Sequence, residues 1–186
     1  MKKEMESAER IHTFYLFSVV QYCVDNSHKN EQAFSGEGLL ERLRLGGSFS
    51  LEEIKSGFPK VWQRTISYAN QNGLDSESPE AALGYWLFEH NRIIRNRIEE
   101  YKDMPEKQRN ACMTYLAKVT KIGSIVLGTQ KLEVVDDTGN TNVIVDFYHS
   151  DLKPGDCITY HEKIVCQKLT EKEYSSLLEK RRKYAA

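Results

Sequence analysis

Residues 131–148 read KLEVVDDTGNTNVIVDFY, and this stretch decides the fold. Lys131 to Asp136 mixes polar and apolar side chains at strand period, and 142–148 is rich in β-branched residues. Asp137-Thr138-Gly139-Asn140 between them is a hairpin turn, with glycine available for positive φ. The same texture extends outward on both sides. Strands are expected over 115–121 and 124–127 before the hairpin, and over 157–161 and 164–169 after it. Lys153-Pro154-Gly155-Asp156 is a tight turn. Six short strands imply a small antiparallel sheet, closed or nearly closed. Thr170 with Glu173 three residues on is a capping box that launches a helix to about Lys183.

Upstream of about residue 110 the period changes from two to 3.6. Ile11, Tyr15, Val19 and Tyr22, with Phe14 and Phe17, form a wide apolar stripe and predict a helix over 6–25. Ser35 caps a second helix through Leu39, Leu40, Leu43 and Leu45, stopped by Gly46 and Gly47. Ser50 and Glu53 form a capping box for a short helix. Pro59 opens another through Trp62, Ile66 and Ala69, closed by Gly73. Ser78 and Pro79 start a helix through Leu83, Trp86, Leu87, Ile93, Ile94 and Ile98 to about Tyr101. The expected class is α+β, with an all-α helical domain over 1–110 followed by a β-barrel with a C-terminal helix over 111–186.

Charge narrows the partners. The 26 Lys and Arg against 27 Asp and Glu give a net charge of -1. Divided near residue 110, the chain carries -2 and +1, so neither part is a basic body built to coat phosphates. Nucleic acid is not the expected partner. The longest apolar run, 14–20, is far short of the roughly 20 residues that span a bilayer. Glu4, Glu6 and Glu9 do not suit a secretory signal, and the four cysteines form no CxxC pair, so a cytoplasmic chain with free thiols is expected.

From Cys112 onward the chain resembles the HypC/HupF family of hydrogenase-maturation chaperones. That family opens with Met-Cys-Leu-x-x-Pro-x-x-Val, and Ala111-Cys112-Met113-Thr114-Tyr115-Leu116-Ala117-Lys118-Val119 keeps the Cys, the apolar residue after it and the Val in register. Asp137 to Gly139, Val143 and Val145, Pro154-Gly155-Asp156, His161, Leu169 and Glu173 follow the family's order of acidic-Gly hairpin, Val-rich strand, Gly-Asp turn, strand ending in His, and helix. The resemblance implies an OB-like barrel with a C-terminal helix, a protein partner, and a cysteine that helps hold iron bearing cyanide and carbon monoxide. Here the cysteine lies within the chain, so no free amine adjoins its thiol.

Cys112 and His161 are therefore the first candidate site, a soft thiolate ligand beside an imidazole. Cys157, His161 and Cys166 add Cys-x3-His-x4-Cys, and with Cys112 they make four N/S groups, a tetrahedral metal set on paper. His90, Arg92 and Arg95 form a second constellation suited to an anion, although Glu89 and Glu99 are spaced to pair with the two arginines. No Walker loop, HExxH or GxSxG occurs, and no enzyme activity is expected. Two functions of different class result: a non-catalytic chaperone or adaptor, binding iron or a protein partner through the barrel, and a nucleic-acid-binding protein using the barrel as an OB-fold and residues 39–73 as a helix-turn-helix-like reader.

Overall fold

The computed structural model describes residues 51–57, 59–98, 101–126, 129–146 and 151–185. The helices expected over 6–25 and from Ser35, and the cap at Ser50, lie outside the described residues. The chain divides into two compact units between Pro105 and Glu106.

The first unit contributes α1 (Leu51–Gly57) and α2 (Pro59–Asn72). Proline at the first position of α2 lacks only an amide that would be unsatisfied there in any case, and Gly73 ends the helix at φ +64. Val61, Thr65, Tyr68 and Ala69, spaced at helical period, form its buried face. α3 (Pro79–Gly84) is capped by Ser78, whose Oγ accepts from the Ala81 amide at 3.1 Å. The long helix expected to Tyr101 differs in two respects. A π-helical turn spans Tyr85–His90, and α4 (Asn91–Arg95) ends six residues early. Five residues of the π turn, Tyr85 to Phe88 and His90, are buried, a wider set than the one-sided stripe of a regular surface helix buries. The end of α4 is a Schellman motif: the Ile98 amide reaches the Ile93 carbonyl at 3.1 Å and the Arg97 amide the Ile94 carbonyl at 3.2 Å. Arg97 takes the left-handed position at φ 52, so no glycine marks this stop in the sequence.

The second unit holds α5 (Glu106–Ala111), β1 (Thr114–Val126), β2 (Thr129–Asp136), β3 (Thr141–Asp146), β4 (Cys157–His161), β5 (Ile164–Leu169) and α6 (Glu171–Ala185). The strands close a barrel in the order β1-β2-β3-β5-β4, with β4 returning to β1. Two of the expected strands, 115–121 and 124–127, are one continuous β1. Gly123 bends that strand and does not break it. Its register with β2 shifts between Ile122 and Ile125, and a Cβ at Gly123 would stand 3.0 Å from the Lys131 carbonyl oxygen. Every pairing is antiparallel except β3 with β5, which run parallel through the single register pair Val145 and Ile164.

Ala117, Val119, Leu132, Val134, Ile144, Ile158, Tyr160 and Val165 fill the barrel, and Leu152 from the β3–β4 connection joins them. Because side chains alternate, Thr114, Leu116, Lys118, Cys157, Thr159 and His161 point outward. All but Lys118 are nevertheless buried. α6 covers this part of the outer surface. Its Glu171 meets Lys118 at 3.0 Å, and Lys118 also lies over the Tyr174 ring at 5.4 Å. The capping box forms as read: the Glu173 amide donates to Thr170 Oγ1 at 3.2 Å, and the Thr170 amide to Glu173 Oε2 at 2.8 Å. Among the described residues no helix is long and apolar enough to cross a membrane.

Candidate functional site at the start of the barrel

α5 delivers Cys112 to the barrel, its amide donating back to the Gln108 carbonyl at 3.0 Å. β1 then starts at Thr114, directly paired with His161 at the end of β4. This register brings the two residues together. His161 Nε2 lies 2.8 Å from the Cys112 carbonyl oxygen, and since a carbonyl only accepts, Nε2 carries the proton. Both residues are about 1% exposed. The contact runs from the imidazole to the main chain, and the thiol turns elsewhere. Cys112 Sγ donates to Glu162 Oε1 at 3.7 Å.

Glu162 was not a candidate from sequence. It and Lys163 are the two central residues of the β4–β5 hairpin, both left-handed at φ 48 and 66, the geometry normally filled by Asn-Gly. The Glu162 amide donates to the Ala111 carbonyl at 3.2 Å, and the Lys163 carbonyl accepts from the Val145 amide at 2.8 Å. The turn is thus tied to the start of β1 on one side and to β3 on the other. Two consecutive left-handed non-glycine residues strain this turn, and nothing in Glu-Lys signals them.

The four-ligand metal set is not assembled. Cys157 and His161 share a face of β4 but stand four residues apart, roughly 13 Å along a strand. Cys157 lies beside Lys118 and Leu169 under the start of α6. Burial pushes its thiol up to about 11, with Glu171 adding to the shift and Lys118 opposing it. Cys166 is fully buried, which also raises its thiol; it donates to the Ile164 carbonyl at 3.5 Å. Among the described residues no group of three or more His, Cys, Asp or Glu side chains is arranged to hold a metal ion. The site does not fit a resident iron.

The anion constellation is also divided. His90 is fully buried on the π turn, with its ring 4.7 Å from that of Trp86 and 6.2 Å from those of Tyr85 and Tyr101. Arg92 and Arg95 are exposed, and Arg92 pairs with Glu89 through two contacts at 2.6 and 2.8 Å. Helical geometry explains the separation, because a residue two positions from its neighbour faces away from it.

The basic run 180–183 at the end of α6 holds a buried ion pair, since Arg181 is only 6% exposed. Its Nε meets Asp137 Oδ2 at 3.1 Å, and Nη2 donates to the Thr114 carbonyl at 2.7 Å. Tyr174, Leu177 and Arg181 lie at i, i+3 and i+7, so the inward stripe of α6 continues through the basic run. Beside it, Asp136 accepts from the Thr138 amide and hydroxyl, the Asn140 amide, Asn142 Nδ2 and the Tyr160 hydroxyl at 2.6 to 3.1 Å. The hairpin acids therefore tie the β2–β3 turn to β4 and α6. No protein-family model, no curated protein and no solved structure matches this chain.

Proposed function

We propose that the chain is a non-catalytic chaperone or adaptor of the HypC/HupF kind, built on an OB-like barrel that holds a protein partner. The observation that carries this reading is the meeting of Cys112 and His161 where β1 starts and β4 ends, the two positions that the resemblance singles out. The closed barrel in the order β1-β2-β3-β5-β4 and the helix after it support the same reading. The side chains favour holding over chemistry: the imidazole is spent on a main-chain carbonyl and the thiol faces a carboxylate. Iron enters only as cargo brought by a partner. The nucleic-acid alternative lacks support at the face such barrels use, because β2 and β3 carry no aromatic side chain on which a base would stack.

The test is anaerobic purification of the full chain and of the Cys112→Ser and His161→Gln variants, followed by partner identification and metal analysis. A protein partner in near-equal amount with the wild-type chain, reduced at least tenfold in both variants while their circular dichroism is unchanged, is the expected result. A wild-type chain recovered alone, or a partner indifferent to both substitutions, would overturn the proposal.

A further inference from the structure

We infer that the free edge of β3 is a docking site for an extended peptide, which adds to the barrel as a strand. The inference rests on the adaptor reading for the existence of a protein partner, and names how that partner is held.

The barrel is least closed between β3 and β5. Five to seven register pairs join each other pair of neighbouring strands, against one between β3 and β5. The Val145 amide donates across that seam to the Lys163 carbonyl at 2.8 Å. Along a strand paired antiparallel on one side, the main-chain N–H and C=O groups of alternate residues point to opposite edges. Since Val145 faces the seam, Val143 and Thr141 face it too. Neither has a backbone partner on that side among the described residues. Both are exposed, Val143 at 57%. An exposed row of unpaired donors and acceptors is the template for strand addition.

The side chains around this edge specify the peptide. Val143 and Val135 are diagonal neighbours on the outer face of β2 and β3, since Val143 pairs with Glu133 and Val135 with Thr141. Val143 offers apolar cover to a side chain of a strand added beside β3, with Val135 one strand further in on the same face. At the closed end of the seam, Lys131 lies beside Val145, and Lys163 precedes Ile164, the residue paired with Val145. Both lysines are exposed, and neither has an ion pair among the described residues. A strand antiparallel to β3 starts at this end, so the fitting peptide has acidic residues at its N-terminal end followed by alternating apolar ones.

The probe is acetyl-Asp-Asp-Val-Thr-Val-Thr-Val-amide, added to the full chain and followed by amide hydrogen exchange read residue by residue. In the free protein the Thr141 and Val143 amides are expected to exchange at least tenfold faster than that of Val134. Saturating peptide is expected to slow both at least tenfold. The same peptide with proline at its central valine should have no such effect, because proline lacks the donor. Lys131→Glu should weaken the peptide at least fivefold, and replacing the two aspartates by lysines should restore binding to that variant. The inference is overturned if Thr141 and Val143 are already as protected as Val134, if the proline peptide protects equally, or if the charge exchange has no effect. Peptide protection of Thr141 and Val143 together with a wild-type chain that captures no partner sinks the adaptor reading alone, whereas a captured partner without peptide protection sinks this docking site alone.

Discussion

At the residue scale, the site is held by backbone conformations and not by unusual side-chain chemistry. Lys163 occupies a left-handed conformation at φ 66, which opposes an L side chain by about 1–2 kcal/mol and does not oppose glycine. Lys163→Gly should therefore stabilise the full chain by about 1 kcal/mol, seen as a higher urea midpoint with an unchanged slope. A lower midpoint would show that the lysine side chain contributes more than its backbone strain removes. The cysteines give a second prediction. With its thiol pushed up to about 11 and a 2% exposure, Cys157 should resist a maleimide at pH 8, where a free thiol reacts readily. Labelling should rise only as the pH approaches 11 or the protein unfolds, and site-resolved mass spectrometry reads this directly. Rapid labelling of Cys157 at pH 8 would mean that the start of α6 lifts away in the native state.

At the element scale, α6 is fastened through Arg181, and this contact sets its own test. Removing one member of a buried ion pair leaves the other charge without compensation, a loss of about 3–5 kcal/mol. Arg181→Ala should lose about 3 kcal/mol at pH 7 in urea unfolding, and adding Asp137→Asn should recover part of it, since the asparagine still accepts from the Leu116 amide. Acid gives the sign check. Burial already pushes the Asp137 carboxyl up although Arg181 opposes it, and without Arg181 it goes higher still. The folded state of the variant then takes up a proton before the unfolded chain does, so the deficit should shrink as pH falls from 7 toward the ordinary carboxylate value near 4. A deficit independent of pH would mean that lost packing dominates. Most elements here were legible in the sequence because their signals are local: the Thr170 capping box, the Gly139 and Gly155 turns, the Pro59 start. What escaped reading lacks a local signal. Arg97, Glu162 and Lys163 stand where glycine or asparagine would have marked a stop or a turn, and Gly123 resembled a break because its close approach to Lys131 depends on a strand elsewhere in the chain. The Cys112–His161 contact was legible through the resemblance, whereas Glu162 was not, since only the register of β4 on β1 brings its carboxylate to the thiol.

At the scale of the whole molecule, the second compact unit carries its own core and its own cover. The barrel interior is closed by residues between Ala117 and Val165, and the outward Leu116, with Leu169, Tyr174 and Leu177, forms a second buried layer under α6. Residues 106–186 should therefore fold when expressed alone, with a dispersed amide spectrum and a sigmoidal thermal transition. The contribution of α6 follows from magnitudes. Uncovering side chains of this size loses roughly 1.5–3 kcal/mol each, so losing the second layer removes on the order of 5 kcal/mol or more. That equals or exceeds the lower part of the range of about 5–15 kcal/mol for whole domains, and a unit this small has little in reserve. Residues 106–170, ending before α6, should show a collapsed spectrum and no cooperative transition. Arg181→Ala in the longer fragment should fall between the two, because it loosens one fastening and keeps Tyr174 and Leu177 in place. Cooperative unfolding of the shorter fragment would show that the barrel interior suffices and that α6 is an addition to a finished fold. A failure of 106–186 to fold would show that the boundary at Pro105 divides the chain in space without dividing its stability.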